Sequence, residues 1–350
     1  KMTNENRSAM ISLLPLLMYA TSLFMNNLTV ILLFCNMALY LSMDYHLPVI
    51  PVLVSMVIGS NIGGASLPWA DTPAVILTLY TDFNLLDFLS KLFLPCLFFA
   101  LFLSIYTFIW YKYFSPKKRV VPFKDRPIVH WKRLKPILTV FVLYLVSISI
   151  GPFVNLSIAY ISLFFGGIAL FLNRKDPADL LNTIPVMDSI AFIIALFLIG
   201  GVLEYSGILM LISKYIVGFT NNNSYIIALS ILFLAFIIAI FLSAGPATAT
   251  LLPICTELSH LVPFNLIYAS LALGILAGSS MLPWSATGGP IMFSETNRFI
   301  KKPHQHLRED QKRHIHEIFS LRTYLYFSIP FSLIMLGLSA LYIVIYIRIL

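Results

Sequence analysis

The chain has 350 residues, 59% of them hydrophobic and only 11% charged, and a formal net charge of +8. Soluble domains carry about a quarter of their residues as Asp, Glu, Lys or Arg, so this composition excludes an ordinary soluble fold and points to an integral membrane protein. The basic excess does not mark a nucleic-acid surface, because it gathers between apolar segments, from Lys112 to Lys135 and from Arg298 to Arg322.

In chain order, the first apolar stretch covers residues 9–43 and is interrupted at Asn26-Asn27. Each arm is shorter than the roughly 20 residues that cross a bilayer. A polar break at mid-membrane depth is tolerated only where it is buried in protein or faces a wet cavity. The stretch therefore reads as a re-entrant helical hairpin with Asn26, Asn27 and Thr29 at its tip. Residues 47–80 read as a broken helix, unwound across the run from Gly59 to Pro73. Glycine lets backbone approach a ligand, and Pro68 and Pro73 lack the amide hydrogen that a helix needs. Residues 89–113 read as an ordinary span that closes a first repeat over 1–115.

A basic linker, 116–133, leads to spans at 134–153, 155–173 and 187–205, with Gly151-Pro152 turning the chain between the first two. Residues 207–219, with Lys214 in the middle, read as an interfacial helix. A second hairpin follows over 224–260, broken at Ser243-Ala244-Gly245-Pro246, with Ser243, Thr248 and Thr250 near its tip. A second broken helix, 264–296, then a basic loop, 297–322, and a final span, 323–350, complete a second repeat over 134–350.

The repeat is written in the breaks. Leu67-Pro68-Trp69 and Leu282-Pro283-Trp284 are each followed by a short polar run and a proline, Pro73 or Pro290. Hairpin, half-helix, break and half-helix occur twice, which is the pattern of a transporter built from internal repeats. With the loops 112–135 and 297–322 cytoplasmic, all of the 23 Lys and Arg but Lys91, Lys214 and Arg348 fall inside. The hairpins then enter from opposite faces. The expected fold class is an all-α integral membrane protein, an inverted-repeat secondary transporter with two re-entrant helical hairpins and two broken helices.

Candidate binding residues sit at the tips and breaks. The first break offers Ser60, Asn61, Gly63, Gly64, Asp71 and Thr72; the second offers Ser279, Ser280, Ser285 and Thr287. Asp71 is the acidic residue expected deep in the membrane, where a carboxylate is functional by default. The alternative is a cap on the half-helix that starts near Thr72. A proton or a sodium ion near Asn61 and Asp71 would neutralise the charge; no other cofactor is expected. Trp69 and Trp284 read as packing residues, Asp188 and Glu204 as interfacial, and His304, His306, His314 and His316 as a solvated loop. Cys35, Cys96 and Cys255 have neither disulfide nor metal spacing. With no His-Glu-x-x-His and no Gly-x-Ser-x-Gly, an enzyme is not expected.

The run Ser60-Asn61-Ile62-Gly63-Gly64 through Asp71-Thr72-Pro73 resembles the Ser-Asn-Ile-Gly-Gly…Gly-Asp-Pro-Pro pattern of the ion transporter superfamily. That group includes citrate-transporter-like permeases, ArsB-type arsenite pumps, NhaD-type sodium/proton antiporters and divalent anion/sodium symporters. Asp188 and the stretch Gly201-Val202-Leu203-Glu204-Tyr205-Ser206-Gly207 are also similar to family positions. Members usually carry several more N-terminal helices, so the chain reads as a fragment or a truncated member. The tips depart from the family's Asp-Asn-Val or Ser-Asn-Thr, reading Asn26-Asn27-Leu28 and Ser243-Ala244-Gly245. The resemblance implies secondary transport of a small ion coupled to a proton or sodium gradient, whether sodium/proton antiport, arsenite or anion/carboxylate transport. The competing reading is a transport-inactive membrane scaffold or assembly protein. The expected partners are the bilayer of the cell (inner) membrane and a small inorganic or organic ion, with no nucleic acid; a homodimer is left open.

Overall fold

A computed structural model of the chain describes residues 4–44, 49–114, 131–154, 158–172, 223–301 and 321–349, with isolated positions at 156 and between 198 and 220. Asp188, Glu204, the four loop histidines, and most of segments 116–130 and 173–222 lie outside the described residues.

The described elements are helical. They are α1 (Asn4–Ser22), α2 (Asn27–Asp44), α3 (Val49–Gly64), α4 (Thr72–Tyr80), α5 (Leu85–Asp87), a π-helical turn (Phe88–Phe93), α6 (Leu94–Phe114), α7 (Trp131–Ile150) and α8 (Ile158–Leu172). After these come α9 (Ser224–Phe241), α10 (Ala244–Leu258), α11 (Leu266–Ser279), α12 (Gly289–Lys301) and α13 (Leu321–Ile349). Contacts divide the chain into one unit of residues 1–122 and 200–350 and a second of 123–199. In the second unit α7 and α8 pack on each other through a 3-10 turn at Gly151–Val154.

The first unit turns a soluble protein's pattern outward. On α6 the exposed side chains include Leu94, Phe98, Leu101, Ile105 and Phe108, a stripe at helical spacing, whereas Ser104 and Thr107 are buried. Three described helices are long and apolar enough to cross a membrane: Leu85–Tyr113, Ser224–Phe241 and Leu321–Arg348. The chain is an integral membrane protein. α9, expected as one arm of a re-entrant hairpin, is by its 18 residues and mean hydropathy of 2.7 among those three.

Glycines set how closely the helices of the first unit approach. A Cβ built on Gly59 would lie 2.8 Å from the Pro15 carbonyl oxygen, and one on Gly63 2.5 Å from that of Tyr19. On α11 the same contacts recur: Gly274 would meet the Leu232 carbonyl oxygen at 2.3 Å and Gly278 that of Phe236 at 2.3 Å. In both places two glycines four apart receive two carbonyls four apart, and the second glycine stands four residues before Leu-Pro-Trp. Small residues that admit a neighbouring backbone are the usual glue between membrane helices.

The half-helices cross over. α4 packs against α10, and α12 packs against α2. Thr72 reaches Gly245, while Ile31 covers Gly288. Each break is thus followed by a segment held against the second arm of the other hairpin.

Candidate functional site

The expected unwinding at Ser60 to Gly64 starts later than the sequence suggests. α3 stays helical through Gly64, and the chain leaves the helix at Ala65, just ahead of Pro68. Gly63 and Gly64 are bare for packing: a Cβ on Gly64 would sit 2.8 Å from Asn27 Oδ1 and 2.8 Å from the Asp71 side chain. The Gly63 carbonyl accepts from the Ser66 amide.

Asp71 occupies the N-cap position of α4 with extended backbone (φ −147°, ψ 167°), yet its side chain makes no capping hydrogen bond. Both carboxylate oxygens turn to the tip of the first hairpin instead. Asn27 Nδ2 donates to Oδ2 at 2.6 Å and Asn26 Nδ2 to Oδ1 at 3.3 Å. The second hydrogen of Asn27 Nδ2 goes to Asn61 Oδ1 at 3.2 Å. Ser22 Oγ lies within donating distance of Asn27 Oδ1 (2.5 Å) and of the Ser60 carbonyl (2.8 Å). Asn26 Oδ1 accepts from the Leu28 amide, and Trp69 Nε1 donates to the Leu23 carbonyl, pinning the tip to the break.

The amide orientations follow from this wiring. Asn27 turns its nitrogen to Asp71 because its oxygen faces the Ser22 hydroxyl, and an ionised carboxylate only accepts. Asp71 is 6% exposed and Asn61 also 6%, and Asn61 Nδ2 is buried without a protein partner. Among the described residues three charged side chains are buried: Asp71, Asp87 and Lys91. Asp87 and Lys91 form an ion pair one helical turn apart. The Tyr342 hydroxyl donates to the Lys91 carbonyl at 2.9 Å, and Lys91 Nζ sits 5.7 Å from the Phe83 ring centroid. Asp71 keeps amide partners only.

Asn61, Gly64 and Asp71 open on a cavity of about 20 Å³, closed on the far side by Ala244 at the start of α10 and by Leu276 and Ser279 of α11. That volume holds one body of water size. The first break, the start of α10 and the end of α11 therefore border one space, and the first hairpin reaches it only through its hydrogen bonds to Asp71 and Asn61.

Of the sequence candidates, the structure brings together Asn26, Asn27, Asn61, Gly64 and Asp71, with Ser60 through its carbonyl and Ser279 across the cavity. Gly63 packs on α1, and Thr72 packs on Gly245. Thr29 is exposed. Thr248, Thr250, Ser280 and Ser285 bond to carbonyls of their own segments. Ser243 and Thr287 are half-buried, and Ser243 forms no side-chain cap. Trp284 is half-exposed and Trp69 belongs to the tip. Ser22 and the Asp87–Lys91 pair were not among the candidates. Ser22 had a weak signal, being four residues before Asn26 on the face that meets Gly63.

A membrane-embedded helical unit with two glycine clasps and a buried carboxylate at its first break is compatible with a membrane transporter, and comparison with known proteins assigns the class. The profile of the citrate transporter family matches residues 1–278, and the chain belongs to that family. The resemblance read from the Ser-Asn-Ile-Gly-Gly run is borne out by this match. The chain is 25% identical over 343 residues to magnetosome protein MamN of Magnetospirillum gryphiswaldense, covering 95% of this chain and 76% of that one. It is 22% identical over 304 residues to a 46 kDa membrane protein of Mycobacterium leprae, covering 80% of this chain and 67% of that one. An uncharacterized transporter of Mycobacterium tuberculosis is 23% identical over 296 residues, 82% of this chain and 69% of its own length.

Proposed function

We propose that this membrane transporter is an ion-coupled secondary transporter, with inverted repeats whose hairpin tips are re-entrant, and that Asp71 binds the coupling proton or sodium ion. The observation that supports this reading is a buried carboxylate with two amide donors and, among the described residues, no cationic partner. A lone buried charge is strongly unfavourable unless it is compensated. Amide donors lessen the penalty of the ionised state without abolishing it, so a cation binding at Asp71 gains the whole of the remaining electrostatic energy. The same carboxylate ties the hairpin tip to the break, so binding there alters the contact between the tip and the break. This is how an ion gradient becomes mechanical bias.

The second reading, a transport-inactive scaffold, draws on the apolar side chains that border the cavity from the second repeat, Ala244, Ala272, Ile275 and Leu276. Reconstitution separates the two. Proteoliposomes with an imposed proton gradient are challenged with sodium, arsenite or a dicarboxylate. Coupled flux that disappears in Asp71→Asn, with the variant still monodisperse in detergent, supports the transporter reading. Flux of normal rate and unchanged ion dependence in that variant makes Asp71 a structural residue, and the absence of any flux in the native chain favours the scaffold.

A further inference from the structure

The two repeats share a frame but not its ligands. A Cβ on Gly63 meets the Tyr19 carbonyl and the Ser22 side chain; a Cβ on Gly278 meets the Phe236 carbonyl and the Ala239 side chain. Ser22 therefore corresponds to Ala239. Asn27 opens α2 as Ala244 opens α10. Asn61 stands two residues before Gly63, as Leu276 does before Gly278, and Asp71 two after Trp69, as Ala286 does after Trp284. Ser22, Asn27, Asn61 and Asp71 thus have apolar counterparts in the second repeat, whereas Asn26 corresponds to Ser243, whose side chain makes no cap, and Trp69 to Trp284, which is half-exposed.

The hydroxyls on the second repeat's tip arm and break close on carbonyls of their own segments, while Ser328 and Ser332 of α13 reach the break from outside, at the Met281 and Ala277 carbonyls. Thr248 donates to the Ala244 carbonyl at 2.8 Å, Ser279 and Ser280 to that of Leu276 at 3.4 and 2.8 Å, and Ser285 to that of Leu282 at 2.8 Å. None of these bonds joins the second tip to the second break, whereas the first repeat joins its own four times over through Asn26, Asn27, Ser22 and Trp69.

Charge gives an independent count. Among the described residues of the first unit, the buried Asp87 and Lys91 cancel each other, which leaves one buried negative charge, at Asp71. One monovalent cation neutralises it, and a second would leave the interior positive. The cavity's volume of about 20 Å³ agrees, since it admits one small body in this conformation.

We infer that the described residues hold a single monovalent-cation site, at Asp71 in the first repeat, and that the described part of the second repeat supplies its frame without a site of its own. The inference rests on the reading of Asp71 as the ion-binding residue, and it adds the stoichiometry: one positive charge bound by those residues.

The test is equilibrium binding to the purified full chain in detergent, read as heat stability against sodium chloride with choline chloride at constant ionic strength, at several pH values. A single site gives a hyperbolic response with a Hill coefficient of 1. Protons competing for the same carboxylate raise the sodium midpoint by at most about tenfold per unit fall in pH. Asp71→Asn removes the whole response. A Hill coefficient near 2, a steeper pH dependence, or a saturable sodium response surviving in Asp71→Asn reveals a second site and overturns the inference. So does a native chain that responds to neither sodium nor pH. The native titration decides the count even if the variant fails to fold. A hyperbolic response without flux in proteoliposomes would keep the single site and sink the transporter reading. Flux with a Hill coefficient of 2 would do the reverse.

Discussion

Asn27 and Asp71 are 44 positions apart in sequence, and their side chains meet at 2.6 Å. That one hydrogen bond joins the tip of a hairpin to the break in the helix that follows it. Its partners make it consequential: the same amide nitrogen also serves Asn61, so removing it strands two buried acceptors at once.

Asn27→Ala is expected to lower stability by about 1.5–3 kcal/mol, the range for hydrogen bonds to a charged group. Asp71→Asn in that background should then have much less effect than it has alone, because the partner it disturbs is already gone. A double-mutant cycle on heat stability reads the coupling, expected at about 0.5–3 kcal/mol. Strict additivity would mean that the contact carries no energy.

The glycine clasps make a second prediction. Gly63→Ala and Gly278→Ala each force a methyl group into a carbonyl of a neighbouring helix, and overpacking of this kind costs about 1–3 kcal/mol. Gly337→Ala is the control. Nothing lies within 4 Å of its added methyl group, and alanine in a helix interior is favoured over glycine by about 1 kcal/mol. Melting curves of the three variants should fall on opposite sides of the native protein.

The ion pair at the start of the α5–α6 segment predicts an asymmetry. Lys91→Met alone leaves Asp87 buried and unpaired, a loss of about 3–5 kcal/mol. Asp87→Leu with Lys91→Met removes both charges and should recover most of it. Some deficit should persist, since Asp87 also accepts from the Asn84 amide at 3.1 Å in a capping box, and a lost cap is worth about 1 kcal/mol. Equal stability of the single and double variants would show that leaving Asp87 buried without Lys91 carries no extra cost.

The proposed topology places the turn at Asn84 outside and the basic loop around Gln311, which lies outside the described residues, in the cytoplasm. The native cysteines Cys35, Cys96 and Cys255 are all buried, so background labelling should be low. Asn84→Cys and Gln311→Cys are therefore expected to react with a membrane-impermeant maleimide from opposite sides. Reaction from one side would rule out the inverted arrangement.

Much of this was legible in the sequence, for physical reasons. The membrane class follows from composition, and the repeat from two copies of Leu-Pro-Trp, because proline and glycine punctuate backbone wherever they occur. Asp71 stood out because a carboxylate amid apolar residues needs a reason. The hydroxyls were harder. A serine or threonine in a helix can close on the carbonyl four residues back, as Thr248 and Ser280 do, or reach another element, as Ser22 does, and composition does not distinguish the two. The Asp87–Lys91 pair was hidden because the span was expected to begin at Leu89, whereas the helical segment opens at Leu85 and widens into a π turn that carries Lys91 inward.

The crossing of the half-helices sets a clock on biosynthesis. α4 rests on α10, which begins at Ala244, far downstream of Tyr80. At about 5–20 residues per second of translation, α4 waits roughly 10–30 s for its partner. Through that interval the segment around Asp71 is held by the hairpin already made, through the amides of Asn26 and Asn27 and the Trp69 indole. The network at the first tip is therefore the newborn chain's temporary brace, and a variant that weakens it would be expected to lose protein during insertion before it lost any activity once assembled.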